Sequence, residues 1–295
     1  MKWMKGTFLL LAANILIMVT LSLTVPLLIN IVLPMFEVDL RGSVDLSSLV
    51  WALVLGFGGA FISLAFSKQM ARAMLDCRQI TQPQSHAEQV VYGSVQEIAQ
   101  RLHITMPEVW VYESADPNAF ATGPSKNNSM VAVSTGLLTH LQEQEVRAVL
   151  AHEMGHVYNG DMFATTVLAG LMNTFVYYIS MWVRRFFAER DQAMLGFGLS
   201  IVLQIIVSVL ASVLISWFSR HREYGADAFA AKVYGKDSMI SALRAIDRWV
   251  TRSQIEYSSQ DALATMKISG NSSGFMHLFA THPPIEARID ALERL

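Results

Sequence analysis

The stretch Val149-Leu-Ala-His-Glu-Met-Gly-His-Val-Tyr-Asn-Gly-Asp161 places two histidines four residues apart, with a glutamate directly after the first. Residues four apart on a helix lie about 40° apart around the axis and about 6 Å apart along it, so His152 and His156 can aim at one ion. Glu153 then stands where a carboxylate can take a proton from a metal-bound water whose pKa has fallen to about 7. The surroundings read as a helix. Gln142 to Ala151 supplies good helix formers, with Val146, Val149 and Leu150 on one stripe and Glu143 and Glu145 near the positive end of the dipole. Asn159-Gly160 ends it. The alternative, an ordinary amphipathic helix with chance histidines, leaves these polar groups unsatisfied in an apolar setting.

Composition excludes a plain soluble protein. Of 295 residues, 53% are hydrophobic and only 16% charged, where soluble domains average about 25% charged. The formal net charge of −2 comes without a basic stripe, so nucleic acid is not an expected partner. The single cysteine, Cys77, excludes an internal disulfide and leaves no zinc finger.

The apolar excess is gathered into runs. Phe8 to Leu23 is long enough to span a bilayer and longer than the hydrophobic core of a cleaved signal, which favours an uncleaved anchor. Leu46 to Ser67 is a second span, whose Gly56, Gly58 and Gly59 would allow close helix contact. Lys2 and Lys5 before the pair, and Lys68, Arg72 and Arg78 after it, put both ends of this hairpin in the cytoplasm. Phe163 to Val183 and Gln192 to Ser219 are charge-free and make a third and fourth span. Arg184, Arg185 and Arg190 between them run against the positive-inside tendency, so a hairpin only partly immersed stays open as an alternative. None of the four runs holds an ionisable residue, which argues against a transporter.

The remainder divides around the spans. The expected organisation is a transmembrane hairpin over 1–67, the first half of a soluble domain with the metal-binding helix over 68–161, a second hairpin over 162–219 and the second half of that domain over 220–295. Gln84 to Leu102 reads as an amphipathic helix, and Glu108–Tyr112, Ala119–Thr122 and Met130–Ser134 as short strands. The edge of such a sheet can hold an extended peptide by β-augmentation, or the strands can be a purely structural meander.

A catalytic zinc usually takes three protein ligands plus water. Glu223, just after the last apolar run, is the candidate third ligand on a helix expected to open there. Asp227 lies one turn on, placed to accept the other ring N–H of a zinc-bound histidine. The competing reading is a juxtamembrane charge cluster, which also accounts for Arg220 and Arg222. The tail predicts helices over Ser238–Thr251 and Pro284–Leu295, separated by a polar segment within Ser253–Gly274. His282 and Arg288 lie at the start of the last helix. A histidine or arginine beside zinc can stabilise an oxyanion, while capping and packing is the default role for His282.

Taken together, His152-Glu-Met-Gly-His156, Asn159-Gly-Asp161, Glu223-Tyr-Gly-Ala-Asp227, Asn118-Ala-Phe-Ala-Thr-Gly123 and Thr281-His-Pro-Pro284 give a chain that resembles the HtpX family of bacterial membrane-bound zinc metalloproteases. That family is in turn related to the CAAX prenyl proteases and to mitochondrial inner-membrane quality-control peptidases. The resemblance runs from the first span to the last helix. It departs at Met154, where leucine is commoner, a change that conserves volume.

The resemblance implies an α+β membrane protein. Its mostly helical, zincin-like domain carries a small β-sheet and is attached to about four transmembrane helices. It implies one zinc per chain on His152, His156 and Glu223, with Glu153 as general base. Asn118, Ala119 and Phe120 would lie along the substrate, and His282 and Arg288 become candidate cleft residues. The implied setting is the bacterial inner membrane, with the site facing the cytoplasm and misfolded or damaged membrane proteins as substrates in a stress response. The rival from another class is a membrane scaffold with a structural zinc. Structural sites are closed and often cysteine-rich, unlike this set of two histidines and a carboxylate.

Overall fold

The structure is a computed structural model that describes Met35 and residues 46–258 and 282–295. The expected first span, Phe8–Leu23, and residues 259–274 of the polar tail segment lie outside the described residues. In chain order the elements are helices α1 (Leu46–Ala65) and α2 (Ser67–Leu75), strand β1 (Arg78–Gln79), helix α3 (His86–Arg101), and strands β2 (Glu108–Tyr112), β3 (Ala119–Ser125) and β4 (Asn128–Ser134). There follow helices α4 (Thr135–His140), α5 (Glu143–Asn159), α6 (Asp161–Ala188), α7 (Ala193–Tyr234), α8 (Lys236–Ser258) and α9 (Ile285–Glu293). Three of these, α1, α6 and α7, are long and apolar enough to cross a membrane.

The chain forms two compact units. One holds residues up to Gly59 together with Ala169–Ala211, and the other holds Ala60–Leu168 with Ser212–Leu295. In the first, α1 and α6 meet at small residues. A Cβ on Gly56 would lie 2.4 Å from Thr174 Oγ1, and one on Gly170 would lie 2.5 Å from the Phe57 ring. Gly58 and Gly59 face open space, so of the three glycines only Gly56 makes the expected close approach.

The second unit is a helical body around one mixed sheet of order β1-β2-β4-β3. β2 and β4 are parallel, and β3 runs antiparallel to β4 at the edge. Strand alternation sends Val109, Val111, Val131 and Val133 into the main core with α3, α5, α8 and α9, while Trp110, Tyr112, Ala132 and Phe120 face Ala71 of α2. Helix α3 starts where Ser85 Oγ accepts the Glu88 N–H at 3.1 Å, and buries Val91, Val95 and Ile98 at helical spacing. β3 runs three residues past the expected Thr122, through an irregularity at which Gly123 has φ 144° and its Cβ position lies 2.3 Å from Asn128 O. Only glycine fits there.

Candidate active site

Helix α5 presents the motif. Its start is fixed by Glu145, whose Oε2 accepts the Gln142 N–H at 2.8 Å while Oε1 accepts the Ser241 hydroxyl of α8 at 2.6 Å. Its end is Gly160, at φ 72°, a left-handed stop. Gly155 lets α7 come close, since a Cβ there would sit 3.2–3.3 Å from Phe229 and Ala226.

Glu223 arrives from α7, and here the structure corrects the sequence reading. Glu223 does not open a new helix, because α7 continues unbroken for 42 residues from the apolar run through Tyr234. Between Ser219 and Asp227 the only weak helix former is Gly225, and no proline stops the ladder.

His152, His156 and Glu223 converge. The two Nε2 atoms are 3.2 Å apart, and they lie 3.5 and 3.3 Å from Glu223 oxygens. One ligand atom from each falls within 4.8 Å of the others. A tetrahedral zinc with bonds of about 2.0–2.1 Å needs neighbouring ligands about 3.3 Å apart, so the set fits that ion. The hydrogen-bonding pattern agrees. His152 Nδ1 lies 2.9 Å from Asp227 Oδ1, and His156 Nδ1 lies 2.6 Å from Asp161 Oδ2. A carboxylate partner fixes the ring proton on Nδ1 and leaves each Nε2 a bare lone pair. Lone pairs gathered on Glu223, which is 3% exposed, call for a cation. Glu223 Oε2 finds no aligned donor, although His282 Nδ1 stands 2.8 Å from it.

Charge points the same way. Glu153 apart, the charged groups of the cluster are the buried Glu223, Asp227 and Asp161 against the buried Arg288 and the partly buried Arg222, one negative charge in excess when the imidazoles are neutral. Arg288 grips Asp227 bidentately, Nε to Oδ2 at 2.8 Å and Nη2 to Oδ1 at 2.7 Å, with Nη1 3.5 Å from Glu223. Glu153 is half-buried. Burial pushes its carboxyl above the ordinary range while the two imidazoles pull it down.

The other expected site residues fall as follows. His282 is largely exposed and touches Glu223. Asn118 is exposed and its backbone is tied to Ser134, with its N–H to the Ser134 hydroxyl and its carbonyl to the Ser134 N–H, both at 2.9 Å. Ala119 and Phe120 begin edge strand β3, which packs on α5, while the Phe120 ring rests 5.9 Å from Tyr112 on the opposite sheet face. Sequence reasoning gave no site role to two residues of the cluster, Asp161 and Arg222, although Asn159-Gly-Asp161 is among the motifs that carry the resemblance.

Residues 85–295, most of the chain, match peptidase family M48. The chain belongs to that family. This M48 peptidase is 43% identical over 296 residues to Protease HtpX of Idiomarina loihiensis, covering 99% of both chains. It is 40% identical over 301 residues to a Protease HtpX homolog of Methylacidiphilum infernorum, again covering 99% of each. In fold it resembles the crystal structure of S. mikatae Ste24p, with TM-score 0.61 at 18% identity, covering 99% of the M48 chain and 66% of the other.

Proposed function

We propose that the chain is an integral-membrane zinc endopeptidase whose ion is held by His152, His156 and Glu223, a site of the gluzincin type. The carrying observation is the set of 3.2–3.5 Å separations among His152 Nε2, His156 Nε2 and the Glu223 carboxylate, with a carboxylate oxygen 2.9 and 2.6 Å from the two Nδ1 atoms. When bound, zinc supplies Lewis acidity and a water acidic enough to ionise near neutral pH. Glu153 would then be the group that takes up a proton beside the site and passes it to the leaving amine; its raised affinity for a proton suits a base that must also act as an acid. Asp227 keeps the His152 ring oriented, and Arg288 keeps Asp227 ionised and in place. In this reading His282, exposed beside Glu223, meets an oxyanion, and Arg288, buried with its nitrogens turned to Asp227 and Glu223, supports that charge from behind. The outer edge of β3 beside Asn118, Ala119 and Phe120, unpaired among the described residues, receives the substrate backbone as an added strand. Phe120 then contributes its main chain, since its ring is engaged on the other face.

The same reading places four spans in a bacterial inner membrane, with Phe8–Leu23 as the first, ahead of α1, α6 and α7. The protease domain is assembled on the cytoplasmic side from 68–161 and 220–295. Substrates are misfolded or damaged membrane proteins under stress. The scaffold alternative is not favoured, because the relatives are proteases. The test is Glu153→Gln, assayed for cleavage of an unfolded protein with zinc content measured in parallel. The expected result is full zinc occupancy and a fall in hydrolysis of about 10²–10⁴-fold. Retention of both zinc and full activity would remove Glu153 as the base.

A further inference from the structure

The two imidazoles are supported in the same way. His152 is backed by Asp227, and Asp227 by Arg288; His156 is backed by Asp161, and Asp161 by Arg222. In the second series, Asp161 is 7% exposed and divides its oxygens, Oδ2 to His156 Nδ1 at 2.6 Å and Oδ1 to Arg222 Nη2 at 3.1 Å. Arg222 is held in turn, donating Nη1–H to Thr165 Oγ1 at 2.7 Å, and the Thr165 hydroxyl donates to the Asp161 carbonyl at 3.0 Å. The loop closes on itself. Gly160 makes it possible, because its left-handed turn starts α6 directly after α5 and lets the first residue of α6 reach back to a ring five positions earlier.

We propose that Asp161 is a positioning residue for the second imidazole, holding the Nδ1–H of His156 so that Nε2 stays turned toward the metal, and that Arg222 pins the carboxylate in that role. The proposal rests on the zinc reading of His152, His156 and Glu223. It has a mechanical corollary. Asp161 opens apolar helix α6, and Arg222 precedes Glu223 on apolar helix α7, so the ion-binding geometry is set where these two helices enter the protease unit. Removing an outer carboxylate that orients a metal-bound histidine lowers metal affinity by about 10–100-fold.

A simpler role for Asp161, capping the start of α6, is separable. Serine caps a helix as well as aspartate does but is too short to reach the ring. The full-length protein in detergent is titrated with zinc against a chromophoric chelator, comparing wild type, Asp161→Ala, Asp161→Ser, Asp161→Asn and Arg222→Gln, with His156→Ala as the control for the site. The expected result is zinc affinity lowered about 10–100-fold in Asp161→Ala and equally in Asp161→Ser. Asp161→Asn, whose side-chain oxygen can still accept the Nδ1–H, falls between these and wild type. Hydrolysis by each variant recovers as free zinc is raised. Wild-type affinity in Asp161→Ser, with His156→Ala stripped of zinc, overturns the proposal and leaves the zinc site standing. Full zinc retention in His156→Ala removes the zinc reading itself. Should the Asp161 variants fail to fold, wild-type affinity in a folded Arg222→Gln overturns the proposal.

Discussion

Arg288 binds two buried acids, gripping Asp227 with two nitrogens while a third faces Glu223. Removing one partner of a buried charge network leaves the others unpaired, at a cost of about 3–5 kcal/mol. Arg288→Ala is therefore expected to lower the thermal unfolding midpoint and to weaken zinc binding together. Arg288→Lys should recover little of either, because a point charge cannot reproduce the planar fork; a lysine variant with wild-type midpoint would show that the fork is dispensable. At this scale the sequence was partly readable. The histidine pair and Glu153 announce themselves by helical spacing, and Glu223 with Asp227 by an i, i+4 pair of acids beside an apolar run. Asp161 does not, because its reach to His156 crosses a glycine turn and matches no helical neighbour rule. Arg222 was equally consistent with a charged collar at a membrane surface.

Among the elements, α2 is fixed to the sheet by one acid. Glu108 of β2 takes Lys68 at 2.8 Å, Arg72, and the Trp110 indole N–H at 3.1 Å, and the Arg72 guanidinium lies over the Trp110 ring at 4.6 Å. Partial burial works to raise the Glu108 carboxyl, and these donors and cations outweigh it, holding the group below its ordinary range. A carboxyl lowered on folding adds stability above its unfolded pKa of about 4.3, and that contribution is lost as pH falls through the depressed value. Glu108→Gln should thus be less stable than wild type by about 1 kcal/mol at neutral pH. The difference should vanish at the acid end of a thermal-melt series, and a gap that persists undiminished in acid would refute this account. Strand alternation made β2 and β4 legible. The extension of β3 was hidden because Gly123-Pro124 reads as a turn, and the continuity of α7 because a charged cluster after an apolar run looks like an end.

For the molecule as a whole, the question is what an ion at the proposed site would hold together. The core of α3, α5, α8, α9 and the sheet is apolar and closed without it, and Arg288 and Arg222 already engage Asp227 and Asp161. Chelation is expected to abolish proteolysis reversibly while far-ultraviolet dichroism stays unchanged. The unfolding midpoint should rise with free zinc, by about 2.7 kcal/mol of stabilisation at one hundred times the dissociation constant. Loss of helical signal on chelation would mean that the metal is structural. Such coupling between distant segments is what a linear reading carries least, since residues 60–168 and 212–295 join into one unit across an apolar insertion.

That insertion leaves through α6 and returns through α7, both unbroken helices. Anyone wishing to separate the unit of residues 60–168 and 212–295 from the apolar insertion for crystallisation or screening cannot trim loops at that border, because it falls within helices. The severed ends would have to be rejoined as a helical hairpin with the rotational phase of α7 preserved, because each residue added or dropped beside Glu223 swings it by about 100°.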